Sequence, residues 1–162
     1  MSQKISLELR AEVEDLYARY AAILDEGPLE LWPSLFMTDG SYRVVTRENL
    51  DRNLPLALIL CESRAAIEDR VYAIENTTFA LPRQTRHLIS NIVTVAAAKA
   101  GEWAVEANFA VFESLEERPT ICHSTGRYRD TLTRDDSGVL CFAAKVCVCD
   151  SPLVPNSLIV PL

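Results

Sequence analysis

Four side chains in this sequence have the chemistry for acid–base work: His87, Asp39, Tyr42 and Asp130. One histidine or one buried carboxylate in a pocket is enough to take and return a proton. His87 stands among apolar neighbours near the start of a segment, where its surroundings can move its charge change across physiological pH. The same position suits a histidine packed in the core with its nitrogens bonded to backbone or to a carboxylate. Asp39 precedes Gly40, a pairing that also serves a plain turn. Asp130 also reads as a carboxylate facing solvent or paired with a neighbouring arginine.

Other chemistries lack their residues. A structural zinc site wants four convergent His or Cys ligands, and a Rieske cluster wants two of each in paired motifs. The chain has two histidines, His87 and His123, and no C-x-x-C or C-x-H pair. Cys122 and His123 are adjacent, so on a strand they point to opposite faces. Cys141, Cys147 and Cys149 share a parity and read as small core residues on one strand face. The fourth and fifth cysteines are Cys61 and Cys122, and an odd total argues against a disulfide framework. No G-x-S-x-G, P-loop or G-x-G-x-x-G occurs among the five glycines.

The elements that must position these residues change character midway. Residues 6–26 read as a helix with Ser6 as cap and Val13, Leu16, Tyr17, Tyr20 and Leu24 on one face. Gly27 and Pro28 end it, and Pro28 suits the first position of a short second helix carrying Leu31, Trp32, Leu35 and Phe36. Asp39-Gly40 reads as a turn into a strand over 41–47, followed by a polar loop at 48–53. Residues 54–61 read as the second arm of a hairpin. Ser63 caps a third helix ending near Asn76. From Pro82 onward the period is two. His87, Ile89, Asn91, Val93 and Val95 share one face of a strand, and Leu88, Ser90, Ile92 and Thr94 the other. Residues 99–101 read as a turn and 103–111 as a strand. Residues 115–120 read as a loop, and 121–132 as a strand with Gly126 as bulge or close-approach point. A polar turn at 134–138 then leads into a last strand over 139–149. Three helices in the N-terminal half and a four-strand meander make the class α+β. Strong twist lets such a sheet curl round a helix and leave a pocket at one end.

The bulk numbers narrow the partners. At 162 residues, 49% hydrophobic and 24% charged, residues 1–162 read as one globular domain. Sixteen basic against 23 acidic residues give a net charge of −7, with the basic residues scattered, so nucleic acid is not expected. The longest uncharged runs, 87–98 and 151–162, are too short to span a membrane. The charged start lacks a signal-peptide core, and the expectation is a cytoplasmic protein. Residues 151–162 form an extended apolar tail with three prolines. Such a tail must dock on its own domain or on a partner subunit.

At this point the residues resemble a known family, the small (beta) subunit of aromatic-ring-hydroxylating dioxygenases. Leu24-Asp25-Glu26 followed by Leu31-Trp32 resembles its first two helices. Phe36, Asp39, Gly40 and Tyr42 resemble its entry into the first strand, and Asp69-Arg70-Val71 its third helix. The most specific stretch is Thr85-Arg86-His87-Leu88-Ile89-Ser90-Asn91-Ile92, similar to the family's R-H-x-x-S-N. Gly126, Asp130 and Leu132 fit its G-x-x-x-D-x-L strand, and Lys145-Val146 with Asp150 its last strand and exit. Two features depart from the pattern. Phe79-Ala80-Leu81-Pro82 stands where the family often has a tryptophan before the proline, and three cysteines lie near the last strand.

The resemblance implies a cone-shaped NTF2-like fold and a non-catalytic role. In that family an alpha subunit carries the Rieske iron–sulfur cluster and the mononuclear iron, and the beta subunit carries no cofactor or metal. Assembly as three alpha plus three beta chains, with the beta chains associating as a trimer, is implied too, as is substrate choice by the alpha subunit. Arg86, His87 and Asn91 are then expected to anchor the first long strand through buried hydrogen bonds. Two other readings compete. One is a stand-alone isomerase or dehydratase using pocket His87, Asp39 and Tyr42. The other is a small-molecule binding module.

Overall fold

Helix α1 spans Leu7–Glu26 and starts where the side-chain signal places it: the Ser6 hydroxyl accepts the Leu9 N–H at 3.1 Å. Val13, Leu16, Tyr17, Tyr20 and Leu24 form its buried face. Gly27, at φ 71°, closes it with a backbone bond to Ile23. This is a computed structural model, and it describes residues 5–77, 82–95, 99–153 and 158–162. The Phe79-Ala80-Leu81 departure lies outside the described residues.

The expected second helix is a 3-10 helix over Leu29–Leu35, and Pro28 stands before its first residue as the cap. Pro33 inside it has no N–H to give, and an α ladder there would drive its ring into the preceding turn. Strand β1 covers Phe36–Thr46 and absorbs Asp39-Gly40, which form part of an irregularity between Phe36 and Ser41 rather than a separate turn. The expected polar loop contains a short helix, α2 (Arg47–Asp51), capped by Thr46, whose hydroxyl accepts the Asn49 N–H. Of the expected hairpin arm only Ile59–Cys61 pairs, as β2, antiparallel to β1. Helix α3, Arg64–Asn76, is capped by Ser63 and buries Ile67 and Val71.

The remaining strands are β3 (Arg83–Val95), β4 (Glu102–Leu115), β5 (Arg118–Arg134) and β6 (Leu140–Cys149). The expected loop at 115–120 shrinks to a two-residue turn, because the strands pair up to Leu115 and Arg118. Sheet order is β2-β1-β6-β5-β4-β3. The class is α+β as expected, and all neighbours are antiparallel except one: β1 runs parallel to β6. The sheet curves round α1, and Trp32, Tyr17, Tyr20, Tyr42, Tyr128, Phe36 and Phe142 fill the space between. Each such side chain contributes about 1.5–3 kcal/mol by leaving water.

Two bulges reset which residues face inward. On β3, Ser90 pairs Asn108 but Val93 pairs Glu106, so one extra residue is inserted there. Asn91 takes φ 54° at that point, a backbone region asparagine tolerates. Ile92 therefore packs against the core with Ile89, and Val93 is exposed, which reverses the simple alternation expected for both. On β6, Phe142 pairs Leu132 and Ala144 pairs Thr131, again one extra residue. Phe142, Cys147 and Cys149 lie in the main core cluster, whereas Cys141, though buried, does not. The three cysteines do not share one face.

Gly126 on β5 is a close-approach point. A Cβ there would lie 2.0 Å from the Val148 carbonyl and 2.8 Å from the Phe109 ring. Phe109 stacks on Tyr128 with centroids 4.6 Å apart, so the gap cannot open cheaply.

Candidate functional site

The inner face of the sheet carries two buried polar clusters, and both are internally bonded. The first joins Asp130 of β5 to Lys145 of β6. The Lys145 Nζ donates to Asp130 Oδ2 at 2.9 Å, and both side chains are fully buried. The Tyr17 hydroxyl of α1 donates to the same oxygen, and the Val146 N–H donates to Oδ1 at 3.1 Å. Asp130 neither faces solvent nor pairs with an arginine. Position 130 has the inward parity of Tyr128 and Leu132, which sets it against Lys145. The Lys145 ammonium also sits 3.4 Å from the Tyr128 ring centroid and 4.3 Å from that of Tyr20. Those ring faces stabilise a cation that water cannot reach. Burial raises the Asp130 pKa, while Lys145 and the hydrogen bonds from Tyr17, Lys145 and Val146 pull it down.

The second cluster holds His87. Its Nδ1 lies 2.6 Å from Asp25 Oδ1, and its backbone N–H donates to Asp25 Oδ2 at 2.9 Å. Nε2 faces the Pro161 carbonyl at 3.3 Å. The side chains are 0% and 4% exposed, so His87 is a bonded core histidine. Burial pushes the Asp25 carboxyl up, but the His87 side-chain and backbone bonds outweigh it and hold the carboxyl below its ordinary 3.8. Arg86 and Asn91 do not share this anchoring role. Arg86 forms an exposed ion pair with Glu26 at 3.0 Å, and Asn91 occupies the exposed bulge.

The tail closes the cone. Residues 158–162 enter it, and Leu162 is 1% exposed. The Leu162 N–H donates to the Tyr42 hydroxyl at 2.8 Å, and the Leu162 carbonyl accepts from the Tyr20 hydroxyl. The Cys147 thiol lies 3.2 Å from that carbonyl. Burial raises the pKa of the Tyr20 and Tyr42 phenols and of the Cys147 thiol, so all three stay protonated at physiological pH. Nearer the mouth, Arg70 of α3 donates to the Leu158 and Ile159 carbonyls at 3.1 and 3.2 Å. What space remains beside Arg83, Glu113, His123 and the tail amounts to about 10 Å³, roughly the room for one water.

The acid–base candidates are therefore not brought together. Asp39 is exposed on β1, whereas Tyr42 and His87 face inward and are both bonded to the tail. Asp25, Lys145, Tyr17 and Tyr20 were missed as site residues. Lys145 did carry a signal, as the only charge within an otherwise apolar strand segment. The donor set does not fit an iron centre: both nitrogens of His87 are already occupied, and among the described residues no three His, Cys, Asp or Glu side chains cluster for a metal.

Comparison with known proteins accounts for this arrangement of the whole chain. Residues 19–154 match the family model described as ring hydroxylating beta subunit. The chain is 30% identical over 151 residues to the anthranilate 1,2-dioxygenase small subunit of Burkholderia cepacia, covering 93% of this chain and 92% of that one. It is 26% identical over 145 residues to a beta subunit of the terephthalate 1,2-dioxygenase terminal oxygenase component of Comamonas, covering 90% and 93%. Among solved structures, a beta subunit assigned to an aromatic-ring-hydroxylating dioxygenase of Novosphingobium aromaticivorans superposes with a TM-score of 0.85. It is 29% identical, with 96% of this chain and 97% of that one covered. With the NTF2-like cone and a match across most of its length, the chain belongs to the ring hydroxylating beta subunit family.

Proposed function

We propose that this chain is a scaffold without an active site of its own, organising the catalytic alpha subunits of a Rieske-type dioxygenase that degrades aromatic compounds. The alpha partner holds the iron–sulfur cluster and the mononuclear iron, and the two chains assemble as three plus three, with the beta chains meeting as a trimer. The complex works in the cytoplasm, and residues 1–162 act as one domain. Among the described residues no helix is long and apolar enough to cross a membrane.

The observation that carries this reading is the closed interior. Asp130 and Lys145, Asp25 and His87, and Tyr42 inside the cone are bonded to one another or to the tail, and the remaining acid–base candidate, Asp39, is exposed outside it. On this reading the chain contributes surface to its partners. Obligate interfaces between permanent partners bury a few thousand Å², and exposed Leu56, Leu60, Leu88 and Val93 are apolar surface available for one. None of His87, Asp39 and Tyr42 is a catalytic residue on this reading, and the isomerase or dehydratase alternative has no assembled set to work with.

Co-expression with a dioxygenase alpha chain from the same source tests the proposal. The two chains should purify as one complex, and the His87→Ala variant should lower stability or assembly while alpha chains that do assemble keep their turnover. Full turnover and native assembly by the alpha chain alone would refute the scaffold role.

A further inference from the structure

We infer that the hollow between α2 and β5, on the outer face of the sheet, is a binding site for a single carboxylate group. It lies on the side away from the cone interior. Tyr128 and Cys147 belong to the core, so their strand neighbours Arg127, Arg129 and Val148 point outward. Val45 and Val148 are nonetheless buried, outside the main core cluster, because α2 packs against β1 and β6 there. The hollow beside this patch has a volume of about 70 Å³ and is lined by Arg47, Leu50, Asp51, Arg127, Arg129 and Val148. That is several times the room one water needs, enough for a compact anionic group that displaces a few waters.

The charges give the ligand its class. Arg127 and Arg129 stand two positions apart on one strand face, about 7 Å along the strand. Two guanidinium forks so placed can close on one carboxylate between them. Neither guanidinium has a hydrogen-bond or ion-pair partner among the described residues. The third arginine, Arg47, is held by Asp150. The other acids nearby leave the pair open. Asp51 lines the hollow without bonding either arginine, and Glu106 stands opposite Arg129 in the β4–β5 register without reaching it. Asp51 in the wall also opposes a second negative charge, which favours a singly charged carboxylate over a doubly charged phosphate. Leu50 and Val148 supply an apolar floor for the carbon that bears the group. The chain as a whole carries −7, so most of its surface repels an anion, whereas here the arginines outnumber Asp51 and Asp150. Such a carboxylate has two sources: an Asp or Glu side chain of the alpha partner, or a small organic acid. Only the first source rests on the scaffold reading.

The test titrates the isotope-labelled full chain with sodium acetate at constant ionic strength and follows the arginine Nε–H resonances by NMR. Saturable shifts at Arg127 and Arg129 are expected, with a dissociation constant on the order of millimolar. Arg127→Gln combined with Arg129→Gln weakens binding about tenfold or more. Both residues are exposed, so the fold is retained, and an unchanged melting temperature verifies it. Arg118→Gln, at an exposed arginine beside the β4–β5 turn, leaves binding as it was. Assembly with the alpha chain then identifies the source. Saturation transfer to acetate is compared between complexes built from wild-type and double-variant chains. Equal transfer assigns the occupied site to a partner carboxylate, and greater transfer with wild type assigns it to a free acid. Resonances that do not move, or that drift without saturating as Arg118 does, overturn the site. So does a folded double variant that binds acetate as wild type does. These readings come from the chain alone, so their failure leaves the scaffold role standing, and a failure to assemble leaves the site standing.

Discussion

Replacing Lys145 with methionine should be among the most damaging single changes in this chain. The side chain is fully buried, its ammonium lies 2.9 Å from an equally buried Asp130, and aromatic rings surround it. Methionine preserves most of the volume, so the cavity cost is small. What is lost is the partner of a buried carboxylate, together with contacts to the Tyr128 and Tyr20 rings. Removing one member of a buried pair costs about 3–5 kcal/mol, because the other is left uncompensated. Asp130 keeps Tyr17 and the Val146 N–H as donors, which favours the lower half of that range. At about 2–4 °C per kcal/mol for a chain of this size, the melting temperature should fall by roughly 6–15 °C. The double variant Lys145→Met with Asp130→Leu should recover a large part of the loss, since no charge is then stranded. Urea unfolding at neutral pH of wild type, both single variants and the double gives the coupling energy directly. Single variants within 1 kcal/mol of wild type, or strictly additive losses, would refute the reasoning.

Acid should loosen the Asp25–His87 clamp. The folded Asp25 pKa lies below its ordinary 3.8, so its stabilisation is present above that value and is lost as pH falls through the folded pKa. Melting temperatures measured from pH 6 to pH 2.5 should fall more steeply below about pH 4 in wild type than in Asp25→Asn; equal slopes would remove the clamp from the account. Gly126→Ala forces a Cβ to within 2.0 Å of the Val148 carbonyl, so the β5–β6 pairing must shift. A loss of about 3 kcal/mol or more is expected by denaturant unfolding, and a change under 1 kcal/mol would show that the strands can part there.

Much of the local structure was legible because its causes are local. Ser6 and Ser63 cap helices through bonds to residues three positions on, and the i, i+3, i+4 apolar pattern names the buried face of α1. Alternation located β3 to β6, and the missing metal and nucleotide motifs could be judged residue by residue. The resemblance at Thr85–Ile92 pointed to the family and hence to the cone. Local rules misled where a single inserted residue reverses a strand's faces, at Asn91 on β3 and between Phe142 and Ala144 on β6. A bulge depends on what the partner strand requires, and alternation alone carries no trace of it.

The site itself was decided by tertiary structure. Asp25 and His87 are 62 positions apart, Tyr17 and Asp130 are 113 apart, and Tyr20 and Leu162 are 142 apart. No spacing rule reaches that far. From the sequence the tail was expected to dock somewhere, because an uncharged aliphatic segment in water is costly; residues 158–162 do so, whereas residues 151–153 stay exposed, Leu153 at 86%. Only the folded chain decided that the place was the inside of its own cone. There the curvature of the sheet brings Arg70, His87, Tyr20 and Tyr42 from four different elements onto one stretch of main chain.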